Sequence, residues 1–353
     1  MGISSDEMLS LHRELDDRSR APGRSRFISG WQTFHPYSGD YLNISRELAR
    51  SAPRSDQYSF ISDSARLVEA IRRFHAHTDQ VDYPPEAVFA TCGSSPLLTS
   101  FFFALRELGV ADVCYVPPIY YACHYQCRSL GIDIQQVADG PLHDASVAMA
   151  LPDRRTALVL CDPIWVFGTT VHRTHLETIR DWQLATGSVV LVDGTFQYTK
   201  WDMGDRIELT SVLAPELTFR IVCPTKSLAV HGVRFAYMLL PPALRESVRY
   251  ACSNITGATG VANERFALRL MEVLNSPVSN QDLVRYIKKT HDFLGENKVI
   301  LAQPYAPVAS YYTFAELNET AVENALVMDE RFFGISGYGS NVRVNLLHEG
   351  WTP

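Results

Sequence analysis

From Val88 onward, short β-branched or apolar runs alternate with longer stretches in which apolar residues recur every three or four positions. Residues 88–91, 113–116, 132–137, 156–161 and 189–192 read as strands. Residues 96–108, 120–130 and 175–186 read as helices that stop at Gly109, Gly131 and Gly187. Alternation at this pace predicts βαβ units, hence an α/β fold with a mostly parallel sheet, helices on both faces and ligands at the C-terminal strand edge. Two further runs, 219–222 and 235–240, flank a segment that leaves the sheet and returns to it. After Pro241-Pro242 the pattern changes to helical stretches at 244–252, 262–274 and 282–293. Two β-like runs, 308–314 and 342–346, then flank a helix at about 319–328. The expected division is a large domain over 45–240 and a smaller α+β part built from 1–44 and 241–353.

Ahead of this body, Ser4-Ser-Asp-Glu7 has the form of a capping box and predicts a helix to about Arg18. Residues 20–43, rich in Gly, Pro, Ser and aromatics, read as an extended or looped arm that carries Trp31 and His35. Ser62 or Asp63 caps a helix in which Leu67, Ile71 and Phe74 mark the apolar face.

Composition narrows the function. The 353 residues exceed the usual single-domain size, and 46% hydrophobic with 20% charged residues is the balance of a globular protein with a sizeable core. A formal net charge of −7 with no Lys/Arg block argues against nucleic acid or an anionic membrane surface as partner and favours a small molecule. No apolar run approaches the ~18 residues of a membrane span and no signal peptide opens the chain, so a cytoplasmic location is expected. Seven cysteines, an odd number, do not form a secreted disulfide framework. Cys123 and Cys127 lack the second paired cluster a metal site needs and read as two small apolar residues on one helix face, so no metal is expected.

The chemistry concentrates in Cys223-Pro-Thr-Lys226-Ser-Leu-Ala-Val-His231-Gly232-Val-Arg234. A lysine at a strand's end, a glycine that admits close backbone approach and an arginine can together hold a carbonyl compound that carries a phosphate. Upstream, Gly93-Ser94-Ser95-Pro96 joins a strand to an apolar helix, with proline read as the first helical residue. Its N–H groups either receive an anion or simply cap the helix. Asp193 follows a strand of Val and Leu.

The spacing from Lys226 to Gly232 and Arg234 resembles the lysine motif of pyridoxal-phosphate (PLP) enzymes of fold type I, the aminotransferase class I/II family. The resemblance runs in order from about Tyr58 to Arg343. It implies PLP as cofactor, Lys226 as the Schiff-base lysine beside Thr225, and Arg234 with Gly93, Ser94 and Ser95 around the phosphate. It further implies Asp193 against the pyridinium nitrogen and Tyr120, with Tyr121 as competitor, stacked on the ring within Pro117-Pro118-Ile-Tyr120. Arg343, in Asn341-Val-Arg343-Val-Asn345, would grip the α-carboxylate of an amino acid or keto acid, with Trp31 as a wall residue or as plain packing. Tyr58 would cross the interface of a homodimer to the partner's cofactor phosphate.

Departures from the family pattern bear on the reaction. Where the family has Asn-Pro-x-Asn-Pro-x-Gly, the chain reads Asp162-Pro163-Ile-Trp165-Val-Phe167-Gly168, and Phe196 stands where a tyrosine is usual. Both usual donors to the cofactor's phenolic oxygen are replaced; Trp165, through its indole N–H, or Tyr198 is left to serve. The resemblance therefore implies an aminotransferase. Alternatives are a PLP enzyme of elimination, replacement, decarboxylation or cyclisation, or an effector-binding module on the same fold, which lacks here the appended basic helix-turn-helix of such regulators.

Overall fold

The computed structural model describes residues 4–20, 26–50, 58, 60–202, 206–276 and 280–351. The chain opens with helix α1 (Ser5–Arg20), started by Ser4, whose Oγ accepts from Glu7 N at 3.3 Å. The arm follows: its residues 21–25 lie outside the described ones, strand β1 (Arg26–Phe27) is paired, and the rest is irregular but for the single turn α2 (Ser38–Tyr41). Two helices, α3 (Ser45–Arg50) and α4 (Ala65–Thr78), lead to the main sheet. The cap of α4 is Ser64, which accepts from Leu67 N at 3.3 Å, and not Ser62 or Asp63; those two belong to a separate 3-10 turn, Ile61–Asp63.

Alternation then holds as the pattern of residues requires: β2 (Val88–Thr91), α5 (Ser94–Glu107), β3 (Asp112–Tyr115), α6 (Tyr121–Leu130), β4 (Asp133–Gln136), β5 (Ala157–Cys161), α7 (Arg173–Thr186) and β6 (Val189–Gly194). The strand β7 (Thr218–Val222), the one-turn helix α8 (Pro224–Ser227) and the strand β8 (Ala236–Leu239) complete it. Helix α5 begins at Ser94, so Pro96 is its third residue rather than its first. Gly131 and Gly187, at φ 65° and 68°, end α6 and α7 in the left-handed conformation that a side chain would disfavour.

The seven strands lie in the order β2-β8-β7-β6-β5-β3-β4, and only β8 runs against its neighbours. Central strands β5, β6 and β7 are buried along their whole length, which explains their mostly apolar composition; Asp193, Thr218 and Arg220 are the charged or hydroxylated exceptions. Edge strand β4, Asp-Ile-Gln-Gln, is largely exposed and polar, which blunts a free sheet edge.

Beyond the sheet, α9 (Arg245–Thr256) packs on α5 and α10 (Val261–Asn275) on α4, followed by α11 (Gln281–Glu296). A three-stranded antiparallel sheet contains β9 (Ile300–Ala302), β10 (Tyr312–Leu317) and, on the other side of β10, the last strand. The helix expected at 319–328 is the short α12 (Glu319–Val322); the chain then turns into β11 (Ala325–Leu326), which pairs in parallel with β1 of the arm. Arg26 secures this pairing by donating through Nη2 to the Ala321 carbonyl at 3.1 Å. The last strand, β12 (Val342–Asn345), carries Arg343.

Candidate active site

Strand register sets the site. Cys161 of β5 pairs with Asp193 of β6, and Asp193 pairs with Ile221 of β7, so Asp193 lies in the last turn of its strand, level with the end of β7. Past that end, α8 raises Lys226, and the chain returns through Arg234 into β8. On the other side of β8, β2 delivers Gly93 and the start of α5. A cavity of about 290 Å³ opens over these strand ends.

Its floor joins an anion cradle to a buried carboxylate and an amine. Gly93 has φ +101°, a conformation that calls for glycine, and a Cβ there would stand 2.6 Å from Arg234 Nη2 and push the guanidinium aside. Ser94 and Ser95, in the first turn of α5, line the cavity with Arg234, and no side chain caps that helix. Unpaired N–H groups, a helix N-terminus and a guanidinium make an anion cradle. Asp193 is buried, which pushes its carboxyl up from the ordinary value, while Thr195 holds the charge by donating through N (3.1 Å) and through its hydroxyl to Oδ1. Oδ2 has only the Cys161 thiol at 4.0 Å, leaving room for an N–H donor. Burial, with repulsion from Arg234 and Arg343, brings the Lys226 ammonium down to about 8; its Nζ lies 6.0 Å from the centre of the Phe196 ring. A primary amine so poised loses its proton readily enough to attack a carbonyl.

The opposite wall is aromatic. Trp165 and Phe196 stack with centroids 5.8 Å apart and planes 18° apart, and Tyr312 and Phe333 meet Trp165 edge-on. Arg343 is buried among them, its guanidinium carbon 4.5 Å from the Tyr312 ring centre, 5.2 Å from Trp165, 5.6 Å from Trp31 and 5.7 Å from Phe333. Arg343 donates through Nε (3.0 Å) and Nη2 to the Ser29 carbonyl, which ties the arm to the site. Burial without a carboxylate partner lowers the Arg343 pKa.

Eleven of the residues singled out in the sequence line this one cavity: Trp31, Ser94, Ser95, Tyr120, Tyr121, Trp165, Asp193, Phe196, Lys226, Arg234 and Arg343. Gly93 sits behind Arg234. Thr225 does not line the cavity; it is buried, with its hydroxyl donating to the Phe235 carbonyl at 3.4 Å. Tyr58 is 89% exposed and apart from the cavity of its own chain. Tyr198 does not reach in either: its hydroxyl donates to Asp79 at 2.8 Å, inside a buried network with His75 and Arg220. Burial pushes the Cys161 thiol up, and the neighbouring Trp165 side chain partly offsets this.

Other lining residues were not singled out in the sequence as site residues, among them Cys223, His12, Tyr312, Phe332 and Phe333. Cys223, three residues before Lys226, lines the cavity, whereas Thr225 does not. His12, on α1, lines it as well; it stacks on Tyr121 at 4.0 Å, and Nε2 donates to the Phe332 carbonyl at 2.9 Å. Its position four residues after Met8 and three before Leu15, both buried, was the available signal.

Residues 42–345 match the family model described as aminotransferase class I and II. The chain belongs to the aminotransferase class I and II family. It is a PLP-dependent transferase of fold type I, and the cradle, carboxylate and amine just described fit that cofactor. Solved structures agree in fold. An aspartate aminotransferase from Thermotoga maritima is 16% identical, with 97% of this chain and 92% of that one covered and a TM-score of 0.77. An N-succinyldiaminopimelate aminotransferase from Mycobacterium tuberculosis is 18% identical, at 97% and 92% coverage and a TM-score of 0.72. An Escherichia coli protein with a methionine aminotransferase function is 15% identical, at 96% and 92% coverage and a TM-score of 0.72. Comparison with curated protein sequences finds no match. Among the described residues, no helix is long and apolar enough to cross a membrane.

Proposed function

We propose that the enzyme transaminates an α-amino acid, with Lys226 as the Schiff-base lysine. The observation that carries this is the Lys226 amine, brought down to about 8 and facing the same cavity as the Arg234–Gly93 cradle and the buried Asp193. PLP, when bound, supplies an electron sink for charge that develops at the substrate's Cα. Ser94, Ser95 and Arg234 hold the phosphate, Tyr120 offers a ring face, and the Asp193 carboxylate accepts from the ring N–H. Arg343 receives the α-carboxylate and thereby fixes Cα within reach of Lys226. Once the substrate amine had taken its place on the cofactor, Lys226 would be free to take the Cα proton and return it as general base and acid. Borohydride reduction of the holoenzyme and peptide mapping test the assignment. The label belongs on Lys226, and a label on another lysine overturns it.

A second reading has its own observation. Trp165 and Phe196 put stacked hydrocarbon where donors to the phenolic oxygen are usual, and that environment also suits elimination, replacement, decarboxylation or cyclisation. One amino acid with no keto acid separates the readings. An aminotransferase stops after one equivalent of keto acid per site, and continued turnover favours the alternative.

The proposal extends to a cytoplasmic homodimer in which Tyr58 reaches the partner's cradle, and to a large 45–240 unit with a small one from 1–44 and 241–353. The high exposure of Tyr58 supports the dimer. Light scattering of active holoenzyme near 39.6 kDa, the mass of one chain, would exclude it.

A further inference from the structure

Away from the Arg234 cradle, the cavity is bounded by α1, the arm and the small sheet, and its wall there includes Trp31, Trp165, Tyr312, Phe332 and Phe333. Charge is scarce there. Among the described lining residues, the one cation outside the lysine–cradle end is Arg343, which the α-carboxylate engages, and the one carboxylate of the whole lining is Asp193, at the floor. A second substrate carboxylate would be desolvated without a counter-charge, and so would a side-chain ammonium. A small side chain would leave the rings facing empty or watered space.

His12 adds an imidazole to this wall. His12 Nε2 carries the proton that it donates to the Phe332 carbonyl, so Nδ1 is a bare acceptor and has no hydrogen-bond partner among the described residues. Burial holds the imidazolium down to about 4, and the ring is neutral through the physiological range. Stacking on Tyr121 and an edge contact with Phe332 hold the ring in place.

We propose that the substrate end of the cavity selects an amino acid with an aromatic side chain, and that His12 Nδ1 accepts a hydrogen bond from a donor on that ring, such as a phenol O–H or an indole N–H. The inference rests on the aminotransferase reading, because it takes Arg343 as already occupied by the α-carboxylate. Offset and edge-on contacts with Trp165, Tyr312 and Phe333 favour a ring over an aliphatic chain of equal area. The acceptor then distinguishes among rings, since a ring without a donor leaves Nδ1 desolvated and unpaired.

The test is an absorbance titration of the holoenzyme, with no keto acid, by L-tyrosine, L-phenylalanine, L-alanine, L-aspartate and L-lysine. Phenylalanine should half-saturate at a concentration about 10- to 100-fold below alanine, aspartate and lysine, the range expected for burying one large apolar group. Tyrosine should lie about 10-fold below phenylalanine. His12→Phe should bring tyrosine up to the phenylalanine value; if that variant does not fold, the wild-type panel decides. Aspartate or lysine binding as tightly as phenylalanine overturns the inference, as does a tyrosine preference that survives His12→Phe. A holoenzyme whose cofactor band ignores both aromatics, yet shifts with another amino acid, overturns it while the aminotransferase reading stands. Protein with no lysine-bound cofactor band fails that reading, and the inference with it.

Discussion

Strand β7 connects two basic residues with opposite surroundings. Arg220, inside the strand, is fully enclosed; it donates to Asp79 at 2.8 Å, to Gln197 at 2.6 Å and to the Tyr198 hydroxyl. His75 completes the group by donating through Nδ1 to Asp79 at 2.9 Å and accepting from Tyr237 at 2.8 Å. Burial alone would raise Asp79 and lower Arg220, but each charge outweighs the other's burial: Asp79 is held far below the usual carboxylate range and Arg220 far above its own. Lys226, just past the strand's end, is buried without a carboxylate in contact and falls to about 8, while Asp193 rises. Within one strand's length, burial is answered by partners at one place and left unanswered at the other. The unanswered place is the one to which the proposed function assigns the chemistry, because a group whose charge is already satisfied has little reason to react.

The contrast breaks most sharply at Lys226. Lys226→Ala should lower turnover by ~10⁴-fold, the scale of losing a nucleophile that is also the general base, while the apoprotein melts no earlier, since an uncompensated charge is removed. Retained turnover would undo the distinction. Arg220→Met should do the reverse. Leaving Asp79 buried and unpaired costs about 3–5 kcal/mol, read as a lower denaturant midpoint, with the cofactor affinity of the folded fraction unchanged.

A buried acid beside the sealed network gives a pH signature. Burial pushes Glu208 up from 4.5 to about 7, and Asp162 adds repulsion, although Lys200 lies 4.0 Å from its carboxylate. Below about 4.5 the group is protonated in both states. As pH rises, the unfolded chain releases the proton first, so stability falls through about pH 7, by ~3 kcal/mol for this one group. Glu208→Gln should flatten that slope in pH-dependent denaturation. The smallest effect is at the cradle: Arg234→Ala should weaken PLP binding by ~1.5–3 kcal/mol, one charge-assisted contact, measured by cofactor titration of the apoprotein.

What could be read from the residues follows the range of the interaction that fixes each feature. Strand–helix alternation, the glycine stops and the Lys226–Arg234 loop are local, and they were legible. So was Asp193, because a carboxylate at the end of an apolar strand is visible in order along the chain. The network of Arg220 with Asp79 was not, since its partners are brought together only by strand and helix packing and nothing in Thr-Phe-Arg-Ile-Val announces a salt bridge. The same holds for Tyr198, expected near the cofactor but held by Asp79, and for residues 319–328, where pairing with the arm overrode a helical pattern. The spacing of His12 from Met8 and Leu15 puts it on the buried face of α1, but that this face meets the cavity depends on how α1 docks.

The tie between Arg343 and the Ser29 carbonyl has a consequence in time. The cavity unites His12, the Ser29 arm, the central strand ends and β12, and β1 pairs Arg26 with Ala325 nearly three hundred residues away. Such separations make assembly slow, because long loops must close before these contacts return any energy. Arg343 can clasp the arm only after everything between has folded. During refolding, helix content should therefore recover well before the ability to capture cofactor, and the arrival of the absorbance of lysine-bound PLP would act as a clock for the last step of folding.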